Sequence, residues 1–208
     1  MGDLKSIKEN EKKFYEICSY FLGDREGVRE LNNYLIKETD FFCCPASTRY
    51  HEAYDFGLIE HTIKVWDALS TLCDNFNYFN MESAALVALY HDICKANCYK
   101  KEWRNVKTYD EAEVNAMPEW ARKSEPGGTF VWVTKEQYSF DDSFPLGHGE
   151  KSVYLVERFV KLTQEEALSI RYHMGAWEDG DKRGLNKAFE LYKLPALLHT
   201  ADTLATYM

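Results

Sequence analysis

Six histidines punctuate this chain of 208 residues, and most stand where a metal site needs them. His61, the dipeptide His91-Asp92, His148, His173 and Asp202 form a spaced series of imidazole and carboxylate groups. Imidazole suits first-row divalent metals, and carboxylate complements it as a harder anionic ligand. Most of these residues fall on the apolar sides of expected helices, where an unpaired polar group is costly. A His-Asp dipeptide alone is a weak motif, because short patterns recur by chance. Its surroundings strengthen it. His91-Asp92 ends an apolar helix, where side chains can turn toward an enclosed site. Asp202 follows Leu198 and precedes Ala205 within another apolar stretch. A buried carboxylate there requires a cation, a salt bridge or a helix-cap contact.

The elements that must position these groups are mainly helical. Ile7, Phe14, Ile17, Cys18 and Phe21 predict an amphipathic helix over 4–22, ended by Gly23-Asp24, and a second helix is expected over 25–38. In the stretch 57–75, Leu58, Ile59, Thr62, Val65, Trp66, Leu69, Leu72 and Cys73 recur at helical spacing and carry His61 on their core side. Asn80 is placed to cap a helix over 81–93, rich in Ala84, Ala85, Leu86, Ala88 and Leu89. Its small side chains suit a central position. Helical periodicity returns at Gly147. Thr163 and Glu166 have the spacing of a capping box. Ile170, His173 and Met174 are expected on one side of that next helix, with Gly175 at its end. Pro195 opens the last helix.

Between 97 and 147 the chain turns polar and rich in Trp and Tyr. Thr129–Thr134 reads as a strand, and Gln137–Phe140 is expected to return beside it around Lys135-Glu136. This stretch is read as an insertion with a β-hairpin inside one domain of 1–208, preceded by N-terminal helices over 1–47. Its few apolar residues argue against a core of its own. Lys100, Lys101, Arg104 and Lys107 follow the expected metal-bearing helix. They either face phosphates or form an ordinary solvated face. Trp103, Trp132 and Tyr138 either stack a base or pack the hairpin down.

Composition bounds the rest. A single domain of this length buries roughly 70% of its unfolded surface. Aromatics reach 15%, with 14 Tyr and 5 Trp that fill a core first and can also stack flat ligands. The net charge of −9 argues against a broad basic surface for duplex nucleic acid. No run of about 18 apolar residues predicts a membrane span. The N-terminal residues lack the apolar run of a secretion signal, and Met1-Gly2 with Ser6 only loosely matches a myristoylation pattern. The six cysteines lack the spacing of a disulfide framework. A reduced, cytoplasmic setting is expected. Cys94 and Cys98 lack a second close pair for a Cys-only zinc site.

Taken in order, Gly57-Leu58-Ile59-Glu60-His61-Thr62, His91-Asp92-Ile93-Cys94-Lys95, Gly147-His148-Gly149-Glu150, Arg171-Tyr172-His173-Met174-Gly175 and His199-Thr200-Ala201-Asp202 resemble the HD-domain metal-dependent phosphohydrolase superfamily. The likeness is to its bacterial and phage-type members with a two-metal ligand series, and it covers about residues 48–206. The resemblance implies an HD-domain helical bundle with an inserted β-hairpin. It implies His61, His91, Asp92 and Asp202 as ligands of a first metal, with Asp92 bridging to a second held by His148 and His173. It places Lys95 beside the substrate phosphate. The long insertion between Lys95 and His148 departs from simpler members. His51, just before the His61 helix, either touches substrate or is structural, as is His199. His199 also shares a face with Asp202 and can hydrogen-bond a ligand. Glu150 fits a first-turn acid that favours the helix dipole.

The activity so implied is hydrolysis of a phosphoester or phosphoanhydride on a nucleotide or nucleic-acid end. Asp92 and Lys95 are its expected catalytic residues, with His51, Lys100 and Arg104 toward substrate. One or two divalent ions (Mn, Fe, Co, Ni or Mg) are the expected cofactors. Two rivals stay open: a non-catalytic sensor that binds metal and nucleotide, and a di-iron oxygenase on an HD-like scaffold.

Overall fold

A computed structural model describes residues 4–177 and 181–208. The loosely matched acylation site at Met1-Gly2 lies outside the described residues. The chain is mainly helical, with nine α-helices and one small sheet among the described residues. It divides into two compact units, one of Met1–Tyr99 with Asp142–Met208 and one of Lys100–Asp141. No described helix is long and apolar enough to cross a membrane. No disulfide joins the cysteines, and all but Cys43 are buried.

The first unit is helical. Helices α1 (Leu4–Phe21) and α2 (Val28–Glu38) precede α3 (Gly57–Asn75) and α4 (Met81–Tyr90). α4 is buried on every side from Ser83 to Tyr90, because Ala84, Ala85 and Ala88 let its neighbours approach closely. Its start is closed by Asn80, whose side chain accepts from the Ser83 N–H. The central layer buries Leu58, Leu69, Leu86 and Leu198 completely. Each such side chain contributes about 1.5–3 kcal/mol through removal from water.

α4 ends at Tyr90, before the expected limit at 93. His91 caps it, Asp92 leaves helical geometry at φ −106°, ψ 16°, and Ile93–Lys95 form a short 3-10 turn. That bend turns Asp92 away from the helix axis. A comparable shift occurs after the insertion. Following α5 (Glu111–Ala116) in the other unit, α6 (His148–Glu157) and α7 (Gln164–Arg171) return to the helical unit. Thr163 and Glu166 form the anticipated reciprocal cap. His173 lies past the end of α7 rather than on its face, in a turn closed by Gly175. α8 (Lys182–Leu191) was not anticipated from the sequence. α9 (Lys193–Tyr207) packs along α3 and α7.

The second unit holds β1, which enters it from Tyr99 (Tyr99–Thr108), β2 (Lys123–Glu125) and β3 (Gly128–Phe140), ordered β1-β3-β2. The hairpin differs from the expectation. Residues 129–140 are one continuous strand, and its antiparallel partner is β2, with Glu125 opposite Gly128, Ser124 opposite Thr129 and Lys123 opposite Phe130. The reversal is at Pro126-Gly127, where turn residues stand, and not at Lys135-Glu136, where none do.

Candidate metal centre

Five helix ends and helix faces deliver the ligand series to one place. α3 brings His61, the end of α4 brings His91 and Asp92, the start of α6 brings His148, the turn after α7 brings His173, and α9 brings Asp202. His61, His91 and His173 are fully buried, and Asp92 is 2% exposed. The ring centroids of His61 and His91 are 5.7 Å apart, those of His91 and His173 4.9 Å, and those of His148 and His173 5.2 Å.

Asp92 sits between two sets of imidazoles and offers each a different oxygen. Its Oδ2 lies 3.5 Å from His91 Nε2 and 3.8 Å from His61 Nε2. Its Oδ1 lies 2.6 Å from His148 Nε2 and 3.4 Å from His173 Nε2. His61-His91-Asp92, Asp92-His148-His173 and, behind His61, His51-Glu52-His61 are each close enough to hold one cation. Asp202 joins the first set, with Oδ1 2.9 Å from His61 Nε2 and 3.9 Å from His91 Nε2.

The ring orientation of two ligands follows from backbone carbonyls. His91 Nδ1 lies 2.9 Å from the Ala88 carbonyl, and His173 Nδ1 lies 2.7 Å from that of Ile170. A carbonyl only accepts, so Nδ1 carries the proton in both rings and donates it. The lone pair of each Nε2 then faces Asp92. Both Nε2 atoms are buried without a hydrogen-bond partner. Leaving such atoms unpaired costs about 1–3 kcal/mol each, which a cation beside each removes. On this observation the donor set fits a metal ion.

Electrostatics agree with that reading for the two carboxylates and His91, whereas His148 has to give up a proton before it can hold a cation. Burial alone raises the Asp92 carboxyl, but Lys95, His91 and His148 outweigh it and hold Asp92 well below the usual carboxylate range. Asp202 is likewise held down against burial, chiefly by its hydrogen bond with His61 and by His91. Both are anions. Burial pushes His91 down to about 4, so it is a neutral donor at ordinary pH. His148 is held well above its usual value because Cys94 and Asp92 overcome its burial.

Lys95 reaches into the cluster from the 3-10 turn, with Nζ 2.6 Å from Asp92 Oδ2 and its side chain 11% exposed. His51 lies in the loop before α3, its ring 4.7 Å from that of His61. His199 stays outside the cluster: its Nδ1 donates to the His173 carbonyl at 2.7 Å and so props the turn that carries a ligand. Glu150 stands in the first turn of α6 and pairs with Arg171 at 2.6 Å. Lys100 and Arg104 belong to β1 in the other unit, where they pair with Asp141 and Glu102.

Two further residues escaped the sequence reading. Cys94 Sγ lies 3.3 Å from His148 Nδ1 and steadies that ring. Glu52 is 8% exposed and sits 3.7 Å from His61 Nδ1. Cys94 follows a ligand by three positions on a tight turn, a signal that spacing from His91 could have carried. Glu52 is in an irregular loop and had none. Gly149 makes the second set possible, since a Cβ there would lie 2.2 Å from the Arg171 carbonyl oxygen. Only glycine lets the start of α6 meet the end of α7 and put His148 beside His173.

No family model matches the chain, and no curated protein or solved structure matches it either.

Proposed function

We propose that this protein is a metal-dependent phosphohydrolase of the HD type, acting on a phosphoester or phosphoanhydride of a nucleotide or nucleic-acid end. The observation that carries the reading is Asp92, one buried carboxylate whose two oxygens face separate imidazole sets. That is the arrangement two adjacent cations require of a shared ligand. His61, His91, Asp92 and Asp202 would hold the first, and Asp92, His148 and His173 the second. Divalent metal chemistry at such a site is the lowering of a bound water's pKa and the polarisation of a phosphoryl oxygen.

The chain's own groups supply the rest. Asp92 and Asp202 remain anionic, so they attract cations into a protein that is already net acidic. Burial pulls the Lys95 ammonium toward neutrality, but Asp92 outweighs it and keeps the group charged. Held against Asp92 inside the cluster, that ammonium would offset charge gathering on phosphoryl oxygens. His51 has two buried nitrogens without partners and faces His61, which suits a contact to substrate. Helical packing around the site keeps bulk water from competing with these interactions.

The test is a screen of metals against phosphorylated substrates, read by phosphate release, with Lys95→Met as control. Metal-dependent release that falls by about 100-fold or more in K95M is expected, the scale of removing one electrostatic stabiliser. Stoichiometric nucleotide binding with no release under any metal overturns the hydrolase reading.

A further inference from the structure

Apart from the site's two free Nε2 atoms, the partnerless buried polar atoms gather at one other place: His51 Nδ1 and Nε2, Glu52 Oε2 and His61 Nδ1, with Tyr78 Oη the exception among those described. The chain goes to some length to put Glu52 there. Its φ is +41°, a left-handed conformation that a glutamate adopts only under constraint. Its carbonyl accepts from the Ala46 N–H at 3.1 Å, and the preceding carbonyl of His51 accepts from the Ser47 hydroxyl at 2.7 Å. Gly57, at the start of α3, closes the clamp: a Cβ there would lie 2.0 Å from the Glu52 carbonyl oxygen.

The side chain is steered as well. Lys64, one turn beyond His61 on α3, donates to Glu52 Oε1 at 2.6 Å. That contact leaves Oε2 toward His61. Oε2 and His61 Nδ1 are 3.7 Å apart, beyond a hydrogen bond by about 0.5 Å. Neither atom has a hydrogen-bond partner. The opposite nitrogen, Nε2, donates to Asp202 Oδ1 at 2.9 Å and lies 3.8 Å from Asp92 Oδ2, so a cation that takes the Nε2 lone pair would have to send the ring proton to Nδ1.

We propose that Glu52 is the positioning residue of the first metal ligand: its Oε2 accepts the proton on His61 Nδ1 and so commits the Nε2 lone pair to the cation. His91 and His173 have their rings set by backbone carbonyls. His61, in the second turn of α3, has no free carbonyl to use, since its own helix consumes them, and Glu52 supplies the acceptor instead. A carboxylate behind a ligating imidazole both fixes the tautomer and raises the ligand's basicity. The inference rests on reading the cluster as a metal centre and is independent of the reaction catalysed there.

Glu52→Gln tests it. Lys64 draws the carboxamide oxygen, which leaves the NH₂ group facing His61. A donor in that position disfavours a proton on Nδ1 and shifts it to Nε2, where it competes with the cation. Competition titration with Zn²⁺ should show affinity lower by about 10–100-fold at unchanged stoichiometry. In the Zn²⁺-loaded wild-type protein, ¹⁵N NMR of the imidazoles should show His61 protonated at Nδ1. Unchanged affinity in E52Q overturns the proposal while leaving the metal centre intact. A stoichiometry lower by one ion also overturns it, because Glu52 would then be a ligand of an ion held with His51 and His61. Failure of the wild type to bind Zn²⁺ overturns both this proposal and the metal reading. Should E52Q fail to fold, the wild-type NMR still decides: an unprotonated His61 Nδ1 sinks the idea.

Discussion

Asp92→Asn keeps the shape of the side chain and removes one charge, and the structure sets two separate consequences. The first is felt without metal. Asp92 is 2% exposed and holds the Lys95 ammonium at 2.6 Å. Taking one partner from a buried ion pair strands the other and costs about 3–5 kcal/mol. For a chain of this size each kcal/mol moves Tm by about 2–4 °C, so the metal-free variant should melt at least roughly 6–12 °C lower. The second consequence is felt with metal. Ligand at a hundredfold excess over Kd stabilises by about 2.7 kcal/mol, or roughly 5–11 °C for wild type. Because both ligand sets use an oxygen of Asp92, the variant should lose that rise altogether. His173→Asn touches only the second set and should keep part of it. The assay is thermal unfolding by circular dichroism with and without Mn²⁺. Mn²⁺ is preferable to Zn²⁺, since six cysteines in the unfolded chain would bind the softer ion and mask the shift. A full Mn²⁺-induced rise in the Asp92→Asn protein would refute the sharing of one carboxylate between two cations.

Two further outcomes follow from the same geometry. In the metal-free protein, stability should fall as pH drops from 6.5 toward 4: burial holds His91 at about 4, so the unfolded chain takes up a proton there that the folded one does not. The loss is about 3 kcal/mol for this group. His51, also lowered to about 4 by burial, His61 and Lys95, acts in the same direction, whereas the raised His148 contributes below 6.5 and fades as pH rises. Urea unfolding at pH 7 and pH 5 checks this, and equal midpoints would contradict it. Gly149→Ala should cost about 1–3 kcal/mol, because the new methyl meets the carbonyl oxygens of Arg171 at 2.2 Å and Ile170 at 2.8 Å. As α6 backs away, Mn²⁺ stoichiometry should drop by one, and a variant with wild-type midpoint and stoichiometry would show that the close approach is not needed.

What could be read in advance was whatever repeats. α3 and α4 announce themselves because burial against neighbours selects apolar residues at helical intervals, and Asn80 and Thr163 mark the starts of α4 and α7 because open N–H groups need an acceptor. Elements without such a period stayed hidden. α8 is an exception: Leu185, Ala188 and Phe189 recur at helical spacing behind the capping Asp181, a legible period within a short polar stretch. β1 is exposed along most of its length, so its residues carry no alternation, and only its place beside β3 makes it a strand. The expected reversal at Lys135-Glu136 failed because alternating residues continue through it, while Pro126-Gly127 supplied the turn.

The site divides along the same line. His61 and Asp202 were legible because a polar group inside an apolar stripe is an exception to a repeating pattern, and exceptions to burial need a reason. The way these candidate ligands divide was implied by the family resemblance alone and by no spacing in the sequence. It depends on α4 stopping at Tyr90, so that Asp92 leaves the helix and presents one oxygen to each set, and a periodic reading ran that helix on to 93. It depends equally on His173 lying past the end of α7 and on Gly149 admitting a backbone contact. Glu52 is the extreme case: its place rests on a left-handed φ, a neighbouring glycine and a lysine one helical turn past the ligand, none of which forms a spacing. Ligand identity therefore lives in local sequence, but ligand orientation lives in where helices end. Substitutions that move a helix terminus should disturb this centre as much as substitutions of the ligands themselves.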